Sequence, residues 1–383
     1  MAPSVDMKQY FNIRLKTCIC YSAVVLLLVT PILYHTLSVT YTVSRSASNP
    51  DAGYDSKDLT ADFNRPSTSA DTAHERQYTR KIAKRTLYPL TIDSPYVINS
   101  RNVCTNVSNL KFLIIVHTST DHFQRRRIMR ETWANKNIFK TVNLRIVFFF
   151  GLTKDKTTQE LIENESIVYG DVVQGDFLDT YHNLTHKGVL AYRWTQDFCQ
   201  QAEMIVKVDD DVFLNVFILL ETYYPKFQSN NRSILCHFVR KNKSAIHRNR
   251  TKWIVDKHLF SGFAFYPVNH CLGYIVLISR DLIRPMYRAS FLTPFFWVDD
   301  VYLYGLLPNK VGGVKYGDIR YSLDKKTNKG LECYFKTKKC SYLAVIAWKD
   351  NKHLFEQLWY AALSQLSPKM KKEVNPLLLP ETP

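Results

Sequence analysis

The chain has 383 residues, 46% of them hydrophobic and 22% charged, which excludes a disordered or low-complexity protein and leaves room for one large domain or two ordinary ones. Its formal charge of +17 admits an anionic partner such as nucleic acid, a nucleotide or an acidic glycan, beside the plainer reading of a solvated basic surface.

From Cys18 to Leu37 no residue is charged, and the apolar centre Ala23–Val29 predicts a membrane-spanning signal-anchor over residues 18–38. Lys8, Arg14 and Lys16 precede it, so residues 1–17 read as a cytosolic tail and everything beyond as lumenal. A cleaved signal peptide is the alternative, disfavoured by the long apolar run and the lack of a small-x-small cleavage site. A lumenal chain is removed from nucleic acid, which leaves the other anionic partners.

Residues 39–108, rich in Ser, Thr, Asp and Asn, read as a lumenal stem. Cys104, Cys199, Cys236, Cys271, Cys333 and Cys340 are an even set for disulfides, with fifteen pairings open. No Cys-x-x-Cys pair suggests zinc. Sequons stand at Asn106, Asn164, Asn183, Asn231, Asn242 and Asn249, as expected of a secretory-pathway glycoprotein.

Periodicity predicts a buried strand at 111–116, a helix at 125–135 capped by Asp121, and a strand at 144–150 stopped by Gly151. A short strand at 168–177, a helix at 183–199 and a strand at 204–208 follow. A helix at 218–224, a polar surface loop at 229–251, an apolar hairpin at 266–278 and a helix at 281–288 come next. An amphipathic helix at 353–366 precedes a tail at 367–383. The alternation implies an α/β domain over 109–366, with a parallel-type sheet and helices on both faces. Ligands of such sheets bind beyond the carboxyl ends of strands, where Asp209-Asp210-Asp211 falls.

That acidic triplet ends an apolar strand, where uncompensated carboxylates are costly. It reads either as a solvated turn or as a site for a divalent cation and the phosphates it holds. Asp299-Asp300 reads either as a helix N-cap or as a general base with its neighbour. Arg126 and Arg130, four apart on one helix face, suit a diphosphate, or else a salt bridge that anchors the helix. Trp133, Trp194 and Trp253 are more often core than sugar platforms.

Arg126-Arg127-Ile128-Met129-Arg130-Glu131-Thr132-Trp133, the run Gly175–Lys187, Lys207–Phe213, Lys252-Trp253, Tyr266-Pro267 with Cys271, and Asp299-Asp300-Val301-Tyr302 follow in order. With them the chain resembles the beta-1,3-galactosyltransferase / N-acetylglucosaminyltransferase-like family, glycosyltransferase family 31, over roughly residues 109–360. The resemblance implies a GT-A type nucleotide-diphospho-sugar transferase fold, a Rossmann-like mixed sheet flanked by helices. It implies an inverting transfer of galactose or N-acetylglucosamine from a UDP-sugar to a glycan hydroxyl, in β1,3 linkage. Asp209 and Asp211 would hold Mn²⁺; Asp300 would be the base, with Asp299 beside it. Arg126, Arg130, Asp179, Lys187 and Asp210 would lie at the nucleotide. The partners would be UDP-galactose or UDP-N-acetylglucosamine and an acceptor glycan on a glycoprotein or glycolipid. The setting would be a single-pass type II protein of the Golgi membrane.

Two positions depart from the family pattern. Where the family has Cys-x-Gly-x-Gly-Tyr, this chain reads Cys271-Leu272-Gly273-Tyr274-Ile275-Val276, and Trp348 stands where a His is usual. Both departures motivate a rival reading, an inactive glycan-binding or chaperone-like protein on the same fold.

Overall fold

The computed structural model describes residues 95–228, 231–249, 252–325, 328–347 and 353–378. The predicted cytosolic tail, the membrane span, the stem up to residue 94 and Trp348 lie outside the described residues. Among the described residues no helix is long and apolar enough to cross a membrane.

The strands in chain order are β1 (Tyr96–Asn99), β2 (Leu110–His117), β3 (Asn143–Leu152), β4 (Val172–Leu178), β5 (Met204–Asp209) and β6 (Val212–Leu214). They continue as β7 (Ser233–Val239), β8 (His270–Ser279), β9 (Lys315–Asp318), β10 (Leu323–Asp324) and β11 (Ala344–Ile346). The main sheet has eight strands in the order β1-β4-β3-β2-β5-β8-β7-β9. Strands β4, β3, β2 and β5 are parallel, whereas β1 and β8 join them antiparallel. The sheet is therefore mixed. A smaller sheet, β10-β11-β6, carries the chain onward from the acidic triplet.

Strand alternation divides the core in two. Phe112, Ile114 and Val116 of β2 face one layer, with Ile128 and Met129 of α1 (Phe123–Glu131) and, further along the chain, Phe355 and Leu358. Leu113 and Ile115 face the other, with Val189, Leu190 and Trp194 of α3 (Leu184–Phe198) and Met286 of α4 (Ile283–Ser290). Each such fully buried side chain contributes about 1.5–3 kcal/mol.

Several expectations hold and others shift. The strands predicted near 111, 144 and 204 and the helix near 183 form as expected. Helix α2 (Lys156–Tyr169) went unread because its surface is mostly polar, yet its ends carry the usual signals. Asp155 caps it, accepting from Thr158 N, and Gly170 closes it at φ 62°. The helix also displaces the strand expected from 168, which starts at Val172. Asp121 does not cap α1: the residue before that helix is His122, with no side-chain capping bond. Gly151 does not stop β3, which runs on to Leu152.

The expected loop 229–251 contains β7, and the expected hairpin 266–278 is the single strand β8. These two pair with each other, so the hairpin partner lay further back in the chain. The sheet also reaches into the expected stem, because β1 pairs with β4. In the expected tail, Pro368–Glu373 is helical and buries Met370.

The six cysteines pair as Cys104–Cys199, Cys236–Cys271 and Cys333–Cys340. The second ties β7 to β8. The third joins α5 (Lys329–Lys336) to the segment before β11. The last long helix, α6 (His353–Ser364), forms where the amphipathic pattern predicts it.

Gly188 of α3 is a close-approach glycine. A Cβ there would stand 2.1 Å from Leu303 Cδ1, on the segment that begins with Asp299. Gly188→Ala is expected to lower stability by about 1–3 kcal/mol through overpacking; an unchanged melting temperature would show that the contact yields freely.

Candidate active site

Strand β5 is apolar up to its final Asp209 except for Lys207, which alternation turns toward the layer covered by α3. A buried ammonium requires compensating charge and hydrogen bonds. Lys207 Nζ donates to Asp209 Oδ1 at 2.5 Å and to the Gly273 carbonyl at 2.5 Å. The Gly273 N–H donates to Asp300 Oδ1 at 2.7 Å. One lysine and one glycine of β8 thus join two acidic motifs that lie far apart in sequence. A Cβ at residue 273 would stand 2.3 Å from Asp300 Oδ1, so any larger residue there would displace that carboxylate.

Asp299 and Asp300 occupy the first turn of a helical segment, Asp299–Val301, where the helix end favours negative charge. Both carboxyls nevertheless titrate above the ordinary range. Burial is the main cause for each; for Asp300 the charge of Asp299 adds to it, and Lys207 opposes the shift in both. A carboxyl that holds a proton this readily suits a general base. For Lys207, burial disfavours the charge, but Asp209, Asp299 and Asp300 outweigh it and the ammonium is retained.

The other two members of the triplet are treated differently. Asp210 accepts from Thr118 Oγ1 at 2.6 Å and Arg125 Nη1 at 2.7 Å, and meets His122 Nδ1 at 2.6 Å. Burial would raise its pKa, yet His122, Arg125 and Thr118 bring it down to about 2. Asp210 was expected at the nucleotide; its carboxylate is instead taken up in holding the loop between β2 and α1.

Among the described residues no side chain bonds the Asp211 carboxyl in this way. Burial, then the charges of Asp209 and Asp210, push it up to about 6, with Arg125 in partial opposition. Its carbonyl accepts from Ala347 N at 2.9 Å, so the chain after β11 closes this corner.

Among the described residues no three His, Cys, Asp or Glu side chains converge into a metal cage. Asp209 and Asp211 still fit a hard divalent cation that draws its remaining ligands from phosphate and water. Asp209 is part-exposed despite its bond to Lys207, and Asp211, whose proton affinity is raised by burial and then by the charges of Asp209 and Asp210, would gain from a nearby cation.

Four residues expected at the nucleotide are committed elsewhere. Arg126 is fully buried and clasps both oxygens of Glu165, with contacts of 2.8–3.0 Å. It also donates to the carbonyls of Ser119 at 2.6 Å and Thr120 at 3.2 Å. Arg130 bonds Asp171 through two nitrogens and Glu165 through a third. These arginines pin α1 to α2 and brace the loop after β2. Lys187 is likewise buried, donating to Thr118 O at 2.6 Å and Asp179 Oδ1 at 3.1 Å. Asp179 accepts from Gly151 N at 2.6 Å. Asp179 and Lys187 therefore cross-link the carboxyl ends of β2, β3 and β4 beneath the cleft.

The residues missed from sequence are Lys207, Gly273, Arg125 and His122. Lys207 was legible in principle, as a lysine inside an otherwise apolar strand. Arg125 stands next to the arginine chosen and differs from it only in which way α1 turns it.

Trp133 and Trp194 are core, as expected. Trp253 is exposed, and its Nε1 donates to Tyr181 Oη at 2.6 Å. Tyr181 packs edge-on against Trp297, and Lys252 Nζ lies 4.9 Å from the Tyr181 ring centre. The Tyr181 hydroxyl titrates high, through burial first and then through the charges of Asp299, Asp300 and Asp209; Trp253 opposes the shift. This aromatic wall therefore borders the acidic cluster. Ile275, where the family pattern has glycine, is fully buried in β8 opposite Val208, so that departure falls in the core.

A mixed sheet with an acidic triplet at the end of β5, bridged to a second acidic pair, suits a sugar-transfer enzyme, and the chain belongs to the galactosyltransferase family. The family model described as Galactosyltransferase matches residues 124–319. The protein is a glycosyltransferase. It is 31% identical over 236 residues to Homo sapiens Beta-1,3-galactosyltransferase 1, covering 60% of this chain and 71% of that protein. It is 29% identical over 284 residues to Rattus norvegicus Lactosylceramide 1,3-N-acetyl-beta-D-glucosaminyltransferase, covering 72% of this chain and 71% of that protein. Among solved structures, the WbbM bifunctional glycosyltransferase aligns with TM-score 0.37 and 9% identity, over 70% of this chain and 51% of that one. A score this low carries no weight, and the fold rests on the strand order above.

Arg126→Ala is expected to cost about 3–5 kcal/mol, because Glu165 would be left buried and underpaired. Arg125→Ala is expected to cost less, about 1–3 kcal/mol, because Thr118 and His122 still hold the Asp210 carboxylate. Thermal denaturation would check the pair, and equal destabilisation would refute the ranking.

Proposed function

We propose that this glycosyltransferase has a GT-A fold and moves galactose or N-acetylglucosamine from a UDP-sugar to a glycan hydroxyl, inverting the anomeric centre and forming a β1,3 link. The observation that carries this reading is the Lys207–Gly273 bridge, which ties Asp209 of the acidic triplet to Asp300 of the second acidic pair. The names of the related proteins support both candidate sugars and the linkage.

Asp209 and Asp211 would hold a divalent cation, Mn²⁺ by the family resemblance, which neutralises charge on the departing diphosphate when bound. Asp300 takes the proton from the attacking hydroxyl. The Gly273 N–H orients the Asp300 carboxylate, and Asp299 keeps its proton affinity high. Lys207 holds Asp209 and the Gly273 carbonyl in register, so the donor and acceptor sides keep a fixed spacing. Tyr181, Trp253 and Trp297 offer flat apolar rings to the acceptor sugar. Three disulfides and the predicted span support a type II protein in the Golgi membrane with this domain in the lumen.

Thermal-shift measurement against UDP-sugars, with and without Mn²⁺, tests the donor reading: a matching donor raises the melting temperature. No shift with any UDP-sugar would refute it. Asp300→Asn is expected to keep UDP binding and lose about 10²–10⁴-fold in kcat; a loss of UDP binding instead would make Asp300 structural. Asp211→Ala is expected to abolish turnover in an assay supplied with Mn²⁺ while the fold stays intact, and retained turnover would remove the cation assignment. Lys207→Met should lower kcat more than it raises KM; the opposite split would mean that Lys207 serves donor binding alone.

A further inference from the structure

Helix α2 has an unusual outer face. Its inner face is anchored by Ile162, fully buried, and by Glu165 in the arginine clasp. Its outer face carries Leu161 at 51% exposure, Ile167 at 82% and Val168 at 72%. A solvent-facing helical strip is normally polar, and large apolar side chains this exposed imply a cover. Asn164 lies three residues after Leu161, three before Ile167 and four before Val168, which puts it in the middle of the strip. It opens the sequon Asn164-Glu165-Ser166. Among the described residues its side-chain amide has no hydrogen-bond partner.

We propose that Asn164 carries an N-linked oligosaccharide whose first sugars lie over Leu161, Ile167 and Val168. The carbon–hydrogen faces of pyranose rings are apolar enough to remove these side chains from water, while the hydroxyls keep the outer surface wet. In the modification, Asn164 Nδ2 forms a bond to C1 of an oligosaccharide carried on a lipid diphosphate. The C1–oxygen bond breaks, the diphosphate departs on the lipid, and the amide proton passes to a base of the transferring enzyme. Three disulfides fit the oxidising compartment in which this chemistry occurs.

The fold discriminates among the sequons. Asn183 is buried, and its Nδ2 donates to Leu178 O at 2.8 Å, so the folded state leaves no room for a sugar there. Asn106, Asn231 and Asn242 are exposed.

The proposal rests on the lumenal placement given above, and the experiment separates the two. The full chain is expressed in cultured animal cells, purified, and its peptides are mapped by mass spectrometry before and after enzymatic glycan removal. Occupied Asn164 with vacant Asn183 is the expected result. Vacant Asn164 beside occupied Asn106 or Asn242 would overturn this inference and leave the placement standing; vacancy everywhere would overturn both. As a second readout, Asn164→Gln is expected to bind an apolar fluorescent dye severalfold more than the wild type. Adding Ile167→Ser and Val168→Thr should return binding to the wild-type level. Unchanged dye binding by Asn164→Gln would overturn the covering role even if the site is occupied.

Discussion

One buried cation organises the cleft. Taking an ammonium out of water costs several kcal/mol even after the protein relaxes, so Lys207 is tolerated only where carboxylates and a carbonyl converge on it. Asp209 and Gly273 supply those contacts directly, and Asp299 and Asp300 add their field. The requirement is mutual, since Asp209, Asp299 and Asp300 could not share this volume without a cation among them. The tight approaches at Gly188 and Gly273 follow from it, because the segment that begins at Asp299 has to come close to both α3 and β8.

Around this centre the charges are divided by how fully they are paired. Arg126, Arg130, Glu165 and Asp171 form a closed buried network, and Asp210 is matched by Arg125, His122 and Thr118. These groups act as scaffold, fixing the loop after β2 against α1 and α2. Asp211 and the Asp299–Asp300 pair hold their protons more readily, through burial first and then through the neighbouring carboxylates. A ligand that brings positive charge is favoured at the underpaired groups and has nothing to gain at the paired ones.

Much of the architecture was legible from periodicity. Strands β2, β3 and β5 and helix α3 have cores too apolar to lie elsewhere than inside. The reading failed where context outweighs pattern. Strand β7 sits in a stretch that looks like a basic loop, and its place in the sheet depends on pairing with β8 and on the Cys236–Cys271 bond. Helix α2 is mostly polar because its inner side is held by an ion-pair clasp instead of an apolar stripe.

The sequence by itself determined the acidic motifs, the position of the triplet after an apolar strand, and the family to which the chain belongs. Residue type and order suffice for those, because the cost of burying charge and the strand period are local facts. Only the tertiary structure decided which charges face the cleft. Arg125 and Arg126 are chemically the same residue one position apart, and the turn of α1 sends one to Asp210 and the other to Glu165. The partner of a buried charge comes from a different element, and its identity is fixed only when the elements pack.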